Sequence, residues 1–174
     1  MYSINIDGID YDLSHLKEFS IELDNIGKDG NSLKISVFLS RHTISESCSD
    51  GQHDLLDEIN RPRKFCKDRY SFSLILPDLI KKMIKENYFC WESKDRNTNM
   101  NFATLDIPPM EVMNIRSGRY KVIYFYLYPD KEKAAIRFFV TSCYEKDLLF
   151  KKKVRRYNMH TLLRKCLYDQ KRLP

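Results

Sequence analysis

Four short runs in this chain hold proton carriers, cations or both: Ser40, Arg41, His42 and Thr43; then Arg61, Pro62, Arg63 and Lys64; then Arg69 and Tyr70; and finally Thr141, Ser142, Cys143 and Tyr144. Histidine, arginine, lysine and tyrosine together are the set that metal-independent RNA cleavage requires. A base takes the 2′-hydroxyl proton, an acid protonates the leaving 5′-oxygen, and cations hold the charge of the phosphorane. A histidine side chain titrates near neutral pH and can serve in either role. Arginine offers a planar fork that matches phosphate oxygens. On this chemistry the candidate catalytic residues are His42, Tyr144 and Arg69, with Arg61, Arg63 and Lys64 as cations for a nucleic-acid backbone. Each has an ordinary alternative. His42 can be a satisfied structural histidine, Tyr144 an anchor of a sheet edge, and Arg69 a surface ion-pair partner of Asp68.

What is missing narrows the field. With only 5 glycines in 174 residues, the chain has neither Gly-x-Gly-x-x-Gly nor a Gly-x-x-x-x-Gly-Lys phosphate loop. It also has no Gly-x-Ser-x-Gly and no His-Glu-x-x-His. Cys48, Cys66, Cys90, Cys143 and Cys166 are odd in number, widely spaced and never Cys-x-x-Cys, so neither a disulfide framework nor a zinc site is expected. No cofactor is implied.

Charge is unevenly placed. The net charge is +6, yet the residues from Lys146 onward carry ten basic side chains against Asp147 and Asp169, so the rest of the chain sums to about −2. The block Lys151, Lys152, Lys153, Val154, Arg155, Arg156 repels itself unless a polyanion relieves it. RNA or DNA is the expected partner, with a protein partner as the other option. The bland alternative is a solvated basic helix.

These groups need elements to hold them. Residues 4–11 alternate around an Asp-Gly pair and read as a hairpin. Residues 19–23 and 33–40 alternate with period two across a Gly-rich turn, a second hairpin. Residues 43–63 read as a loop with one short helical turn near 54–59. Residues 69–76 read as a third strand that Pro77 stops, followed by a helix from Asp78 to about Phe89. A loop is expected at 94–99 and a short strand at 102–105. The strongest strands are 120–127 and 134–141, rich in β-branched and aromatic residues and joined by a turn at 129–133. Their near-continuous apolarity argues for a central place in a sheet. Tyr120, Tyr124, Tyr126 and Tyr128 alternate on one face, either as core or as an exposed ladder that stacks nucleobases. A basic helix over 158–170 closes the chain. The order predicts an α+β fold: a mainly antiparallel sheet with one internal helix packed on it and a basic C-terminal helix. Residues 1–147 are expected as one domain and 148–174 as a helical arm.

The strand ending in Arg41 and His42, the basic segment at 61–64, the central sheet and the closing Thr-Ser-x-Tyr resemble small bacterial and phage ribonuclease toxins of the RelE, barnase and colicin-nuclease group. That resemblance spans roughly residues 33–147. It implies His42 as acid or base, Arg63, Lys64 and Arg69 on phosphate, and Ser142 and Tyr144 lining the scissile group. The N-terminal segment and the long basic C-terminus depart from the group.

Three readings therefore stay open: a metal-independent ribonuclease acting as a toxin or defence effector, a non-catalytic nucleic-acid-binding or regulatory protein, and a protein–protein module such as an immunity or anti-defence factor whose basic arm docks on an acidic partner. The start of the chain has no signal-peptide pattern, and no apolar run reaches the length of a membrane helix. A cytoplasmic protein is expected.

Overall fold

The computed structural model describes residues 2–48, 51–94, 100–111, 115–130, 134–148 and 155–173. Lys151, Lys152 and Lys153, and most of the expected loop at 94–99 and turn at 129–133, lie outside the described residues. The fold is α+β. Strands β1 (Ser3–Ile6) and β2 (Ile9–Asp12) form the expected hairpin, turning on Asp7 and Gly8 at φ of 52° and 80°. Both angles are those a two-residue type I′ turn requires.

The main sheet has seven strands in the order β12-β8-β9-β10-β11-β4-β3. They are β3 (Phe19–Leu23), β4 (Leu33–Leu39), β8 (Phe89–Lys94), β9 (Met100–Leu105), β10 (Gly118–Asp130), β11 (Ala135–Leu148) and β12 (Arg156–Asn158). All neighbours are antiparallel except β4 and β11, which run parallel. A parallel pair needs a long crossover, and residues 40–134 supply it. A second sheet, β5-β7-β6, is built from β5 (Ser45–Ser47), β6 (Leu55–Leu56) and β7 (Pro62–Phe65).

Helices α1 (Lys67–Ser73), α2 (Leu76–Lys85) and α3 (Met159–Asp169) complete the fold. The strand expected at 69–76 is instead α1 and the start of α2. Tyr70, Phe72, Leu74 and Leu76 alternate, but only Phe72 and Leu76 are buried, four residues apart as on one helix face. Leu74 and Ile75 are about half exposed. Pro77 is thus no strand stop. It sits in the first turn of α2, where its missing N–H has no intrahelical partner to lose. The helical turn expected near 54–59 is replaced by β6 and a tight loop, and the basic segment opens with a strand, β12, before α3.

All three helices pack on one face. Their buried apolar residues, including Phe72, Leu76, Ile80, Met83, Ile84, Leu162, Leu163 and Leu167, join Ile35, Val37, Ile123, Phe125, Leu127, Phe138 and Val140 in a single cluster. The opposite face carries a smaller cluster of Ala103, Leu105, Val122 and Tyr124, with Trp91, Ile107, Ile115, Tyr120 and Tyr144 packed against it.

A β-bulge decides which side chains reach which face. Tyr124 pairs with Ser142 and Phe125 with Val140, so Thr141 is an extra residue in β11. Its hydroxyl donates to the carbonyl of Tyr124 at 3.1 Å. Without it, strict alternation would send Phe139 and Tyr144 to opposite faces. With it, both stand on the face without helices, and Val140 and Cys143 both enter the main core.

The N-terminal hairpin is tied to α1. Tyr11 packs against Phe65 and Tyr70 with ring centres 4.6 and 5.1 Å apart, and the Tyr70 hydroxyl donates to the carbonyl of Asp12. Ser73 donates its hydroxyl proton to Tyr70 O, so it accepts from His15 Nε2 at 2.7 Å. His15 Nδ1 is buried with no hydrogen-bond partner among the described residues. Burial holds the imidazole below its usual value, against the pull of Asp12.

Two expectations follow. Deleting Thr141 turns residues 142–148 to the wrong faces, and the variant is expected to lose its cooperative urea transition, whereas Thr141→Val keeps it with a loss of about 0.5–1.5 kcal/mol. His15 binds its proton more weakly folded than unfolded, so stability falls as pH drops below the ordinary histidine value of about 6.5. Urea midpoints measured between pH 7.5 and 5 are expected to fall less steeply for His15→Asn than for the wild type.

Candidate nucleic-acid interface

Strand β4 ends in a short 3-10 turn, Arg41–Thr43, opened by the Ser40 side chain accepting from the His42 N–H. This turn aims the His42 ring at Asp57, with Nε2 2.8 Å from Oδ2. Asp57 is the hub of the loop that follows β6. Its Oδ1 accepts the N–H groups of Ile59 and Arg61, and its Oδ2 also accepts Arg61 Nε at 2.8 Å. Asn60, at φ 62°, closes the loop in the left-handed region that asparagine tolerates. The Asp57 side chain is only 1 % exposed. Burial alone would raise its carboxyl, but the bonds from His42, Arg61 and Ile59 outweigh it and hold the group far below the usual carboxylate range. The neighbouring Glu58 accepts from Arg41 N and Ser40 Oγ, fixing the loop against the end of β4.

The remaining sequence candidates separate. Arg63 is buried and spends its guanidinium on Ser45 Oγ, Ser45 O and Ser47 Oγ within the small sheet. Lys64, next to it on β7, is exposed. Arg69 donates through Nη1 to the carbonyls of His42 and Ser45 and lies 4.9 Å over the ring of Tyr144. Arg69 and Tyr144 thus meet, lining a cleft of about 550 Å³ beside α1. His42 is not among its lining residues; only its backbone carbonyl reaches Arg69.

The face without helices gathers more aromatic surface than the cleft. Phe38 on β4, Phe139 on β11 and Tyr126 on β10 form a row of near-parallel rings. Their centres are 6.4 and 4.9 Å apart, with interplanar angles of 21° and 8°. Tyr128 meets Tyr126 edge-on at 5.3 Å and is exposed. The outer side of this row is met by a cation from the C-terminus, Arg172, 4.5 Å from the Tyr126 ring and 5.8 Å from that of Tyr128. The reciprocal backbone bonds between Leu127 and Leu173 hold Arg172 there. Arg137, cross-strand from Tyr128, is exposed on the same face.

Further across the sheet, register sets Arg156, Trp91, Ala103 and Tyr124 in one transverse row. The basic segment therefore enters at an edge of this face. Tyr124 stacks on Tyr144 at 5.2 Å. The tyrosine alternation of β10 is real on this face, but it divides. Tyr120 and Tyr124 belong to the small cluster that Ile107 and Ile115 help cover, while Tyr126 and Tyr128 stand nearer solvent. Sequence reasoning missed Phe38, Phe139, Arg137 and Arg172. Only the pairing of β4 with β11, the register of β11 on β10 and the bonds between Leu127 and Leu173 reveal that they share a face.

Among the described residues no group of three or more His, Cys, Asp or Glu is placed to hold a metal ion. No helix among them is long and apolar enough to cross a membrane. The buried thiols of Cys143 and Cys166 are pushed up to about 12 by burial, and that of Cys90 higher still.

The chain belongs to the YjaZ family, whose model matches residues 3–167. No curated protein and no solved structure matches it. The resemblance to the RelE, barnase and colicin-nuclease ribonucleases is corrected by this finding: a different family accounts for nearly the whole chain. The resemblance rested on element order, and the strand assumed at 69–76 is helical.

Asp57→Ala leaves His42, Arg61 and the N–H groups of Ile59 and Arg61 without their shared acceptor and is expected to cost about 1–3 kcal/mol in urea unfolding at pH 7. Because the folded carboxyl titrates below its unfolded value of about 3.9, this contribution is complete above pH ~4 and fades as pH falls through the folded value. Wild type and variant are therefore expected to converge in stability in strong acid.

Proposed function

We propose that the chain binds single-stranded RNA or DNA across the helix-free face of its seven-stranded sheet, without cleaving it, in a cytoplasmic setting. The observation that carries this reading is the row Phe38, Phe139 and Tyr126, left uncovered by every helix and met by the Arg172 guanidinium. Aromatic side chains on a sheet are a sequence-tolerant platform for bases, each stacked base contributing roughly 1–3 kcal/mol. The rings stack on one another across the strands, so the free stacking surface lies at the Tyr126 and Tyr128 end, where Arg172 sits. A base entering there takes the place of the guanidinium, which then turns to a phosphate. Arg137 and Arg156 flank the same face, and the net charge of +6 favours a polyanion.

The catalytic reading has less behind it. His42 is engaged by Asp57 and Arg61, away from the cleft where Arg69 and Tyr144 meet. A proton carrier must lie within hydrogen-bond reach of the group it serves, together with the residues that stabilise the developing charge.

Fluorescence anisotropy with labelled single-stranded 12-mers tests the proposal. Affinity is expected to fall steeply with salt, roughly one unit of log–log slope per phosphate contact, and Arg156→Gln is expected to lower that slope by about one. Tyr126→Ala is expected to weaken binding about tenfold or more. Salt-independent binding, or indifference to Tyr126→Ala, contradicts the proposal. RNA cut by the wild type in EDTA but not by His42→Ala returns the ribonuclease.

A further inference from the structure

The cleft beside α1 holds an arrangement that the aromatic face does not explain. Three of its lining side chains keep donor groups that no described residue accepts. Arg69 is anchored through Nη1 alone, on the carbonyls of His42 and Ser45, and its Nε and Nη2 make no hydrogen bond to the described residues. Lys121 holds its ammonium 5.0 Å over the ring of Phe72, with no carboxylate of the described residues in ion-pair distance. The hydroxyl of Tyr144 has no hydrogen-bond partner among the described residues, although both ring faces are in use, one against Arg69 and one against Tyr124.

The other charges largely cancel. Arg119 is paired with Glu145 at 2.8 Å, which leaves Arg69 and Lys121 against Asp68 at the exposed rim. The cleft is therefore positive by one charge, with donors on three elements: α1, β10 and β11. The guanidinium is also preset, since two backbone carbonyls and an aromatic face fix its plane before any ligand arrives. A fixed guanidinium fork matches tetrahedral oxyanions.

We propose that this cleft binds a phosphomonoester group. The Arg69 fork, the Lys121 ammonium and the Tyr144 hydroxyl all belong to the lining and are donors for the phosphoryl oxygens. A phosphomonoester carries up to two negative charges where a carboxylate carries one, and so answers both cations more strongly. The volume of about 550 Å³ exceeds what the phosphoryl group alone fills and admits the organic moiety that carries it. Such a group has two sources, a free small molecule or the phosphorylated end of a nucleic-acid strand. The site does not depend on the aromatic face, so it stands or falls separately from the function proposed above.

Isothermal titration calorimetry with phenyl phosphate at pH 7.5 and fixed ionic strength tests it. Lys121→Gln and Tyr144→Phe are conservative changes at side chains without hydrogen-bond partners among the described residues, and both variants are expected to keep the wild-type urea midpoint. The wild type is expected to bind one equivalent of phenyl phosphate, each variant to bind it at least tenfold more weakly, and Tyr126→Ala to bind it as the wild type does. Benzoate is expected to bind at least tenfold more weakly than phenyl phosphate. No saturable binding, equal binding by wild type and both variants, or equal binding of benzoate overturns the proposal. Octathymidylate with and without a 5′-phosphate separates the sources. A tenfold gain from the 5′-phosphate that Lys121→Gln abolishes assigns the strand end. Binding of phenyl phosphate without that gain assigns a free phosphomonoester.

Discussion

A single extra residue in β11 organises the two faces of this protein. Strand alternation has a period of two, so any contiguous pairing of β10 with β11 fixes which side chains enter the core. Thr141 breaks the count once. Below it, Cys143 faces the helices and Tyr144 faces away; above it, Val140 and Phe138 face the helices and Phe139 faces away. The buried apolar residues of the described helices lie on one side with Phe125 and Phe138, while Phe38, Tyr124, Tyr126, Phe139 and Tyr144 are on the other. The hydroxyl of Thr141, bonded to the carbonyl of Tyr124, holds that exchange of parity in place.

Cations then settle on the rings of the helix-free face, on both sides of the bulge. Arg172 reaches Tyr126 and Tyr128 because Leu173 pairs with Leu127, at a stretch of β10 that β9 is too short to cover. Arg69 reaches Tyr144 because its guanidinium is held by the carbonyls of His42 and Ser45. The turn carrying His42 is in turn fixed by the buried carboxylate of Asp57. One ordered framework thus runs from the loop at 57–61 through the end of β4 to the cleft beside α1. In it His42 acts through its backbone carbonyl on one side and its ring on the other.

The sequence was legible where a pattern had one structural meaning. The alternation in 19–23 and 33–40, the Asp-Gly turn, the long β-branched and aromatic runs and the closing helix after Asn158 all appear where residue types place them. It was illegible where a pattern had two. Residues 69–76 alternate like a strand, yet Phe72 and Leu76 also sit four apart, and packing on the sheet selects the helix. Near-continuous apolarity in β10 and β11 correctly implied a central pair, but the cover on the second face is an aromatic cluster and not a helix. The partner of His42 lies fifteen residues on, in a loop whose only local sign is an asparagine suited to a left-handed turn. Nothing in the order of residues says that β4 lies parallel to β11, and without that pairing Phe38 and Phe139 cannot be recognised as neighbours.

The account stands on the helix-free face being the one that meets nucleic acid. Photocrosslinking of the protein to single-stranded RNA containing 4-thiouridine, followed by mass spectrometry of the adduct peptides, tests this most directly. Adducts are expected in the peptides that carry Phe38, Tyr126, Tyr128 and Phe139. Adducts confined to α2 and α3, on the opposite side of the sheet, would contradict it.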